Sequence, residues 1–351
     1  MKRFAIYYCF TSFILITACG PSRIVSLNVT RPAEISLPAD VQTILLVDRT
    51  KFKNQTMNVI EGILTGELPG DDRFAVQEAM NALKETLYNS PRFNVKVSPE
   101  RLEGNSLSAV FPDPLTWEQV NLLCSKENAE ILVALEVFDS DFTVWPGSRI
   151  KKKTVGEGTN KQEIEYTEFY AQGAGSVDFG IRTYYLNEKK IVDQQMVSES
   201  HTWEGTGSTP IEAMGLLISK NEAIRYLANN IGESYAYKIS PMPIRISRSF
   251  YGKSKRVDEV GSGSRLADVN KWQEAIDMWK TGLSKATKEK DKGQIAYNIA
   301  IGYEVLGEYG TALKWAQDSY TLYGNKEGRN YARQLQQRIN EENVLKEQMN
   351  K

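Results

Sequence analysis

The hydrophobic period of this chain changes once along its length, and that change limits the folds open to it. Up to about residue 251, short β-branched runs alternate with helical patterns. From residue 265 onward the apolar residues recur at helical spacing only. The fold class that follows is α+β. A mixed α/β sheet domain is expected over 24–251, a linker over 252–264, and an all-α helical-repeat domain over 265–351. The 351 residues are enough for two such domains.

Within the first region, Ile24 to Thr30 alternates apolar and polar residues, as a half-buried strand does. Thr43 to Asp48 is an almost unbroken apolar run and predicts a buried strand. Residues 51–73 carry Gly62, Gly66, Pro69 and Gly70 and predict a long loop. Val76, Ala79, Met80, Leu83 and Leu87 share one face of a helix from about Phe74 to Asn89, which Ser90-Pro91 ends. Phe93 to Val97 predicts a strand. Thr116 and Gln119 have capping-box spacing and open a helix to about Asn128. Glu130 to Phe138 is strongly β-type, and the extended pattern continues to Trp203 with turns at 156–160 and 187–189. One long helix is predicted from Thr209 to about Lys238, then a strand over Ile244 to Tyr251. The small, polar stretch 252–264 predicts a linker, or a helix start interrupted by Gly261 and Gly263.

In the second region Lys271 to Trp279 and Glu308 to Ala316 repeat one another, with Ala275 and Ala312 in equivalent places. Their spacing is close to the ~34-residue tetratricopeptide period, and residues 296–320 resemble that repeat. Ala300 and Tyr303 match the small and aromatic positions of its first helix. Gly307 and Tyr309 match the turn, and Ala312 and Ser319 the second helix. Ala296 and Ala316 depart from the pattern, standing where bulky and aromatic residues are usual. The resemblance implies a binding groove lined by the first helix, which makes Tyr297, Asn298, Ile301 and Glu304 the candidate partner-binding residues. Roughly two repeats and a polar capping helix over 327–351 are too few for a free-standing stack, so docking on the α/β domain is expected.

Lys2 and Arg3 precede an apolar run from Phe4 to Ile16, which suits a signal-peptide core and is too short to span a bilayer. The run ends in Ile16-Thr17-Ala18-Cys19, which resembles the processing site of bacterial lipoproteins, those of the Bacteroidota among them. The resemblance implies a signal peptide over 1–18, acylation of Cys19, and a short tether over 19–23. More than one acyl chain is needed for stable anchoring. Gly20 to Arg23 holds no acidic pair, and in such lipoproteins that favours the periplasmic face of the outer membrane over surface export. The order of elements in 24–251 resembles the small periplasmic domains of Tol-Pal-type, curli-secretion and synthase-activating lipoproteins. Its cues are Ile44 to Asp48, the Ser90-Pro91-Arg92-Phe93 turn and Asn128 to Leu132 entering a strand. The resemblance transfers no catalytic residue.

Composition narrows the chemistry. One histidine and three cysteines exclude a histidine-rich metal site, a disulfide framework and a four-cysteine cluster. A net charge of −1 gives no footprint for nucleic acid. His201 lacks a nucleophile motif and reads as a solvated strand residue. Cys124 lies on an apolar helix face and reads as an inert core thiol. Glu67, Asp71 and Asp72 lack calcium-loop spacing. Asp139 and Asp141 share a strand face and are the candidates for a carboxylate-dependent wall or glycan hydrolase. Lys151 to Lys153 form a basic run on a hairpin that could meet an anionic surface. No cofactor and no metal are expected. The reading is a non-catalytic protein-binding or scaffold lipoprotein, held to the membrane through Cys19. The alternatives are a curli-type secretion-pore subunit and the hydrolase.

Overall fold

The computed structural model describes residues 22–51, 71–104 and 110–349. It bears out the α+β class: a sheet domain is followed by a region that is helical from residue 258. The processing site at Cys19 and most of the expected 51–73 loop, Glu67 included, lie outside the described residues. None of the described helices is long and apolar enough to cross a membrane.

By its internal contacts the chain forms two compact units. The larger holds residues 30–243 together with those from Val344 on. Its centre is a five-stranded sheet in the order β3-β2-β4-β5-β6, built from β2 (Thr43–Asp48), β3 (Asn94–Val97), β4 (Ile131–Val155), β5 (Gln162–Tyr185) and β6 (Lys190–Gly207). β2 pairs in parallel with β3 and with the start of β4, while β4, β5 and β6 are antiparallel. Strand alternation splits the β2 run between two cores. Ile44 and Leu46 pack with α1 (Asp71–Tyr88) and α4 (Lys220–Ile239). Leu45 and Val47 pack with α2 (Trp117–Glu127) on the other side. Such burial on both faces is what a continuous apolar strand needs. The expected capping box forms, with Thr116 accepting from the Gln119 backbone and Gln119 reaching back to the Thr116 N–H.

The single helix expected from Thr209 to Lys238 is two. α3 (Pro210–Gly215) stops, and α4 restarts behind a second capping box, Ser219 with Glu222. Met214 and Leu216 are left exposed by the break, so helical spacing alone overstated the continuity.

Of the described residues, the smaller unit holds 22–29 and Ile244–Asn343. β1 (Ser22–Arg31) and β7 (Met242–Tyr251) form its two-stranded sheet, although β7 and all of β1 but its first two residues fall inside the span 24–251 expected for the α/β domain. Five helices complete it: α5 (Asp258–Asp268), α6 (Trp272–Lys285), α7 (Glu289–Val305), α8 (Tyr309–Thr321) and α9 (Lys326–Gln348). Residues 252–264 are therefore not a linker throughout, because the chain is helical from Asp258. Gly263, which weakens the helix signal, is there for packing. A Cβ on it would sit 2.4 Å from the Trp279 indole nitrogen. Trp279 is fully buried and donates from Nε1 to the Val260 carbonyl at 3.2 Å. Its ring meets Phe250 of β7 edge-on.

Candidate functional site

The four groove candidates lie on α7, and the structure buries all of them. Asn298 and Ile301 have no exposed surface, Glu304 has 3% and Tyr297 has 9%. What covers them belongs to the same unit. Asn298 accepts from the Tyr251 backbone N–H through Oδ1 and donates through Nδ2 to the Tyr251 carbonyl, both at 2.8 Å. Glu304 is held by Arg248 of β7 through Nε and Nη2 at 2.8 and 2.9 Å, and by the Tyr331 hydroxyl at 2.6 Å. Tyr297 lies between the rings of Tyr251 and Tyr331, and burial pushes its phenol up to about 12. An open peptide groove on this face is thus corrected to an internal joint between α7, α9 and β7. The repeat pattern identifies the helix, but it holds no information about a strand some 50 residues upstream.

A second polar centre was not singled out from the sequence. Glu136 of β4 is completely buried in its side chain and meets two guanidinium groups. Arg49 donates from Nη1 to Oε1 at 2.8 Å, and Arg182 Nη1 stands 2.8 Å from Oε2. The Tyr184 hydroxyl donates to Oε1 at 2.7 Å, and burial raises its pKa so that it stays protonated. Arg182 is also bound to the Pro112 carbonyl and to Gln194, and lies over the Phe111 ring. The cause of the gathering is local. Leu135 pairs with Ile181 and Val137 with Gly180, so Glu136 is the extra residue of a β-bulge. A bulge re-aims side chains and shifts the in–out alternation by one. Before it, Ile131, Val133 and Leu135 face the α1–α4 core; after it, Phe138 and Phe142 do. The visible signal was a single acid in the apolar run Ile131 to Phe138.

The same shift turns Asp139 and Asp141 to the opposite face, where both are exposed. Asp141 accepts from the Thr143 hydroxyl at 3.3 Å. With Trp145, Ser176, Ser200 and Thr202 it lines a shallow depression that Asp139 does not reach. His201 is exposed, its ring against Trp203 and Tyr226. Lys151 and Lys152 are each paired across the hairpin, with Glu168 and Glu165, which cancels much of the basic run. Among the described residues no group of three or more His, Cys, Asp or Glu could hold a metal ion.

Cys124 is buried on α2, and desolvation, aided by the nearby Glu130 carboxylate, pushes its thiol up to about 12. It should react with a thiol reagent only after denaturation. Labelling of Cys124 within minutes in a folded chain lacking Cys9 and Cys19 would contradict that placement.

Residues 41–251 match the model of a family described as Domain of unknown function (DUF8603). The chain belongs to that family. The DUF8603 match ends at Tyr251, so it takes in β7, which packs with the helices of the smaller unit. A second model, Domain of unknown function (DUF6340), matches residues 261–341, from within α5 to within α9. No curated protein matches this DUF8603 chain. Among solved structures it is similar to PelC from Paraburkholderia phytofirmans, a dodecamer, at 12% identity and TM-score 0.25, over 62% of this chain and 99% of that one. It is also similar to the hypothetical protein CT253 from Chlamydia trachomatis, at 12% identity and TM-score 0.22, over 56% of this chain and 98% of that one. Likeness at that level carries no argument about what the chain does.

Proposed function

We propose that this DUF8603 protein is a lipid-anchored, non-catalytic binding component of the bacterial envelope, tethered through Cys19 and facing the periplasm. The observation that carries the reading is the smaller unit, in which α5 packs on α6, α6 on α7 and α7 on α8. Stacked helical pairs of the tetratricopeptide type present extended surfaces to protein partners. The Ile16-Thr17-Ala18-Cys19 segment supports the anchor.

Two experiments test it. Cys19→Ser should move the protein from the membrane to the soluble fraction on cell fractionation, because the acyl chains supply the attachment. Retention in the membrane pellet after a carbonate wash would defeat the anchor. Crosslinking in intact cells followed by affinity recovery should yield a defined envelope partner, and recovery of the chain alone would defeat the binding role.

A further inference from the structure

With the α7 face closed by β7, the question is where the helical unit leaves a partner room. Between α8 and α9 a cavity of about 290 Å³ is lined by Leu313, Gln317 and Tyr320 on one side and Arg329, Ala332 and Arg333 on the other. Its floor is apolar: the Leu313 side chain, the Ala332 methyl and the Tyr320 ring, which is 38% exposed. Its rim is cationic. The Arg329 guanidinium lies 5.5 Å over the Tyr320 ring, and Arg333 follows one turn later on the same face.

Arg245 on β7 and Arg265 on α5 also lack a carboxylate partner among the described residues, but Arg329 and Arg333 stand one turn apart beside an apolar floor, while other arginines of the smaller unit are ion-paired. Arg248 has Glu304, Arg256 has Asp291, and Arg338 has Glu341 and Glu342. Among the described residues no carboxylate lies within ion-pair distance of Arg329 or Arg333. Like charges one turn apart repel, so α9 is locally improved by an anion arriving between them. Guanidinium groups bind carboxylates in a two-pronged manner. A lone inorganic anion would satisfy the rim and leave the apolar floor and the Gln317 amide unused.

We propose that the α8–α9 cleft is a docking site for an acidic peptide segment of a partner protein. Arg329 and Arg333 take its carboxylates, the floor takes an adjacent apolar side chain, and Gln317 is placed to meet its backbone. The proposal rests on the protein-binding role above and names the chemistry of the partner.

The probe is a fluorescein-labelled decapeptide of alternating leucine and aspartate, followed by anisotropy against the full mature chain. Its counterpart with asparagine for aspartate, and inorganic phosphate, are the competitors. Binding is expected for the aspartate peptide, weaker by about tenfold or more for the asparagine peptide, and weaker to a similar extent for Arg329→Gln with Arg333→Gln. Both arginines are exposed, so the variant should keep the wild-type melting curve; Lys126→Gln, in the other unit, should bind as wild type does. No binding of the aspartate peptide, equal binding of both peptides, unchanged binding by the double variant, or full displacement by millimolar phosphate would each overturn the site. In the cell, a partner crosslinked to wild type and retained by the double variant would sink the cleft and spare the binding role. Peptide binding in vitro with no partner recovered from cells would do the reverse.

Discussion

Glu136→Gln should destabilise the sheet domain by about 3–5 kcal/mol, the range found when one member of a buried ion pair is removed. The figure is large against a typical total of about 5–15 kcal/mol for a folded domain. Arg49, Glu136 and Arg182 are nearly or fully out of water, at 9%, 0% and 3% side-chain exposure. Glutamine keeps the shape and an oxygen for Tyr184 and Arg49 to bind, but removes the carboxylate that contacts both guanidinium groups. Two cations then face each other in a low-dielectric interior. Amide hydrogen exchange of β4 together with urea unfolding reads the loss. A loss below about 1 kcal/mol would mean that water reaches the cluster and screens it as it screens surface pairs. Replacing all three by apolar residues of similar volume should recover most of the loss, since the charges also carry a desolvation penalty.

The parts of this fold that the sequence made legible are those whose signal is local. Thr43 to Asp48 is a strand with the predicted ends, and Thr116 with Gln119 is a capping box in both readings. Both depend only on neighbours a few residues away. The helix break before Ser219 was equally local, but it was hidden because Met214, Leu217 and Ile218 kept a helical spacing across it. α5 was obscured by Gly261 and Gly263, and at Gly263 the glycine is explained by Trp279, 16 residues further on. The Glu136 centre draws on Arg49 just after β2, on β4 and β5, and on the segment at Phe111–Pro112. No single-strand pattern could assemble it, and the bulge shifts the alternation at the same place. α7 was the hardest case: the repeat pattern points to Tyr297, Asn298, Ile301 and Glu304 as groove residues, but all four are buried, and β7 covers this face.

Asn298→Leu decides that last point. Leucine has the branched shape of asparagine but is bulkier and offers neither donor nor acceptor, so the Tyr251 N–H and carbonyl lose their 2.8 Å bonds to it, although Ser264 Oγ still donates to the carbonyl at 3.1 Å. A buried backbone group left without a partner costs about 1–3 kcal/mol. The expected loss is therefore about 1–3 kcal/mol in the unfolding of the smaller unit, with faster amide exchange at Tyr251. Asn298→Ala should cost less, because the space it opens is polar and can admit a water to the freed backbone groups. A groove residue would behave in the opposite way. Truncating a side chain that waits for a peptide leaves stability within about 0.5 kcal/mol of wild type and weakens binding only. Unchanged unfolding of Asn298→Leu together with lost partner recovery would thus restore the peptide-groove reading of α7. The reverse pattern fixes Asn298 as the clasp that holds β7 on its helix and leaves the cleft between α8 and α9 as the place for a partner.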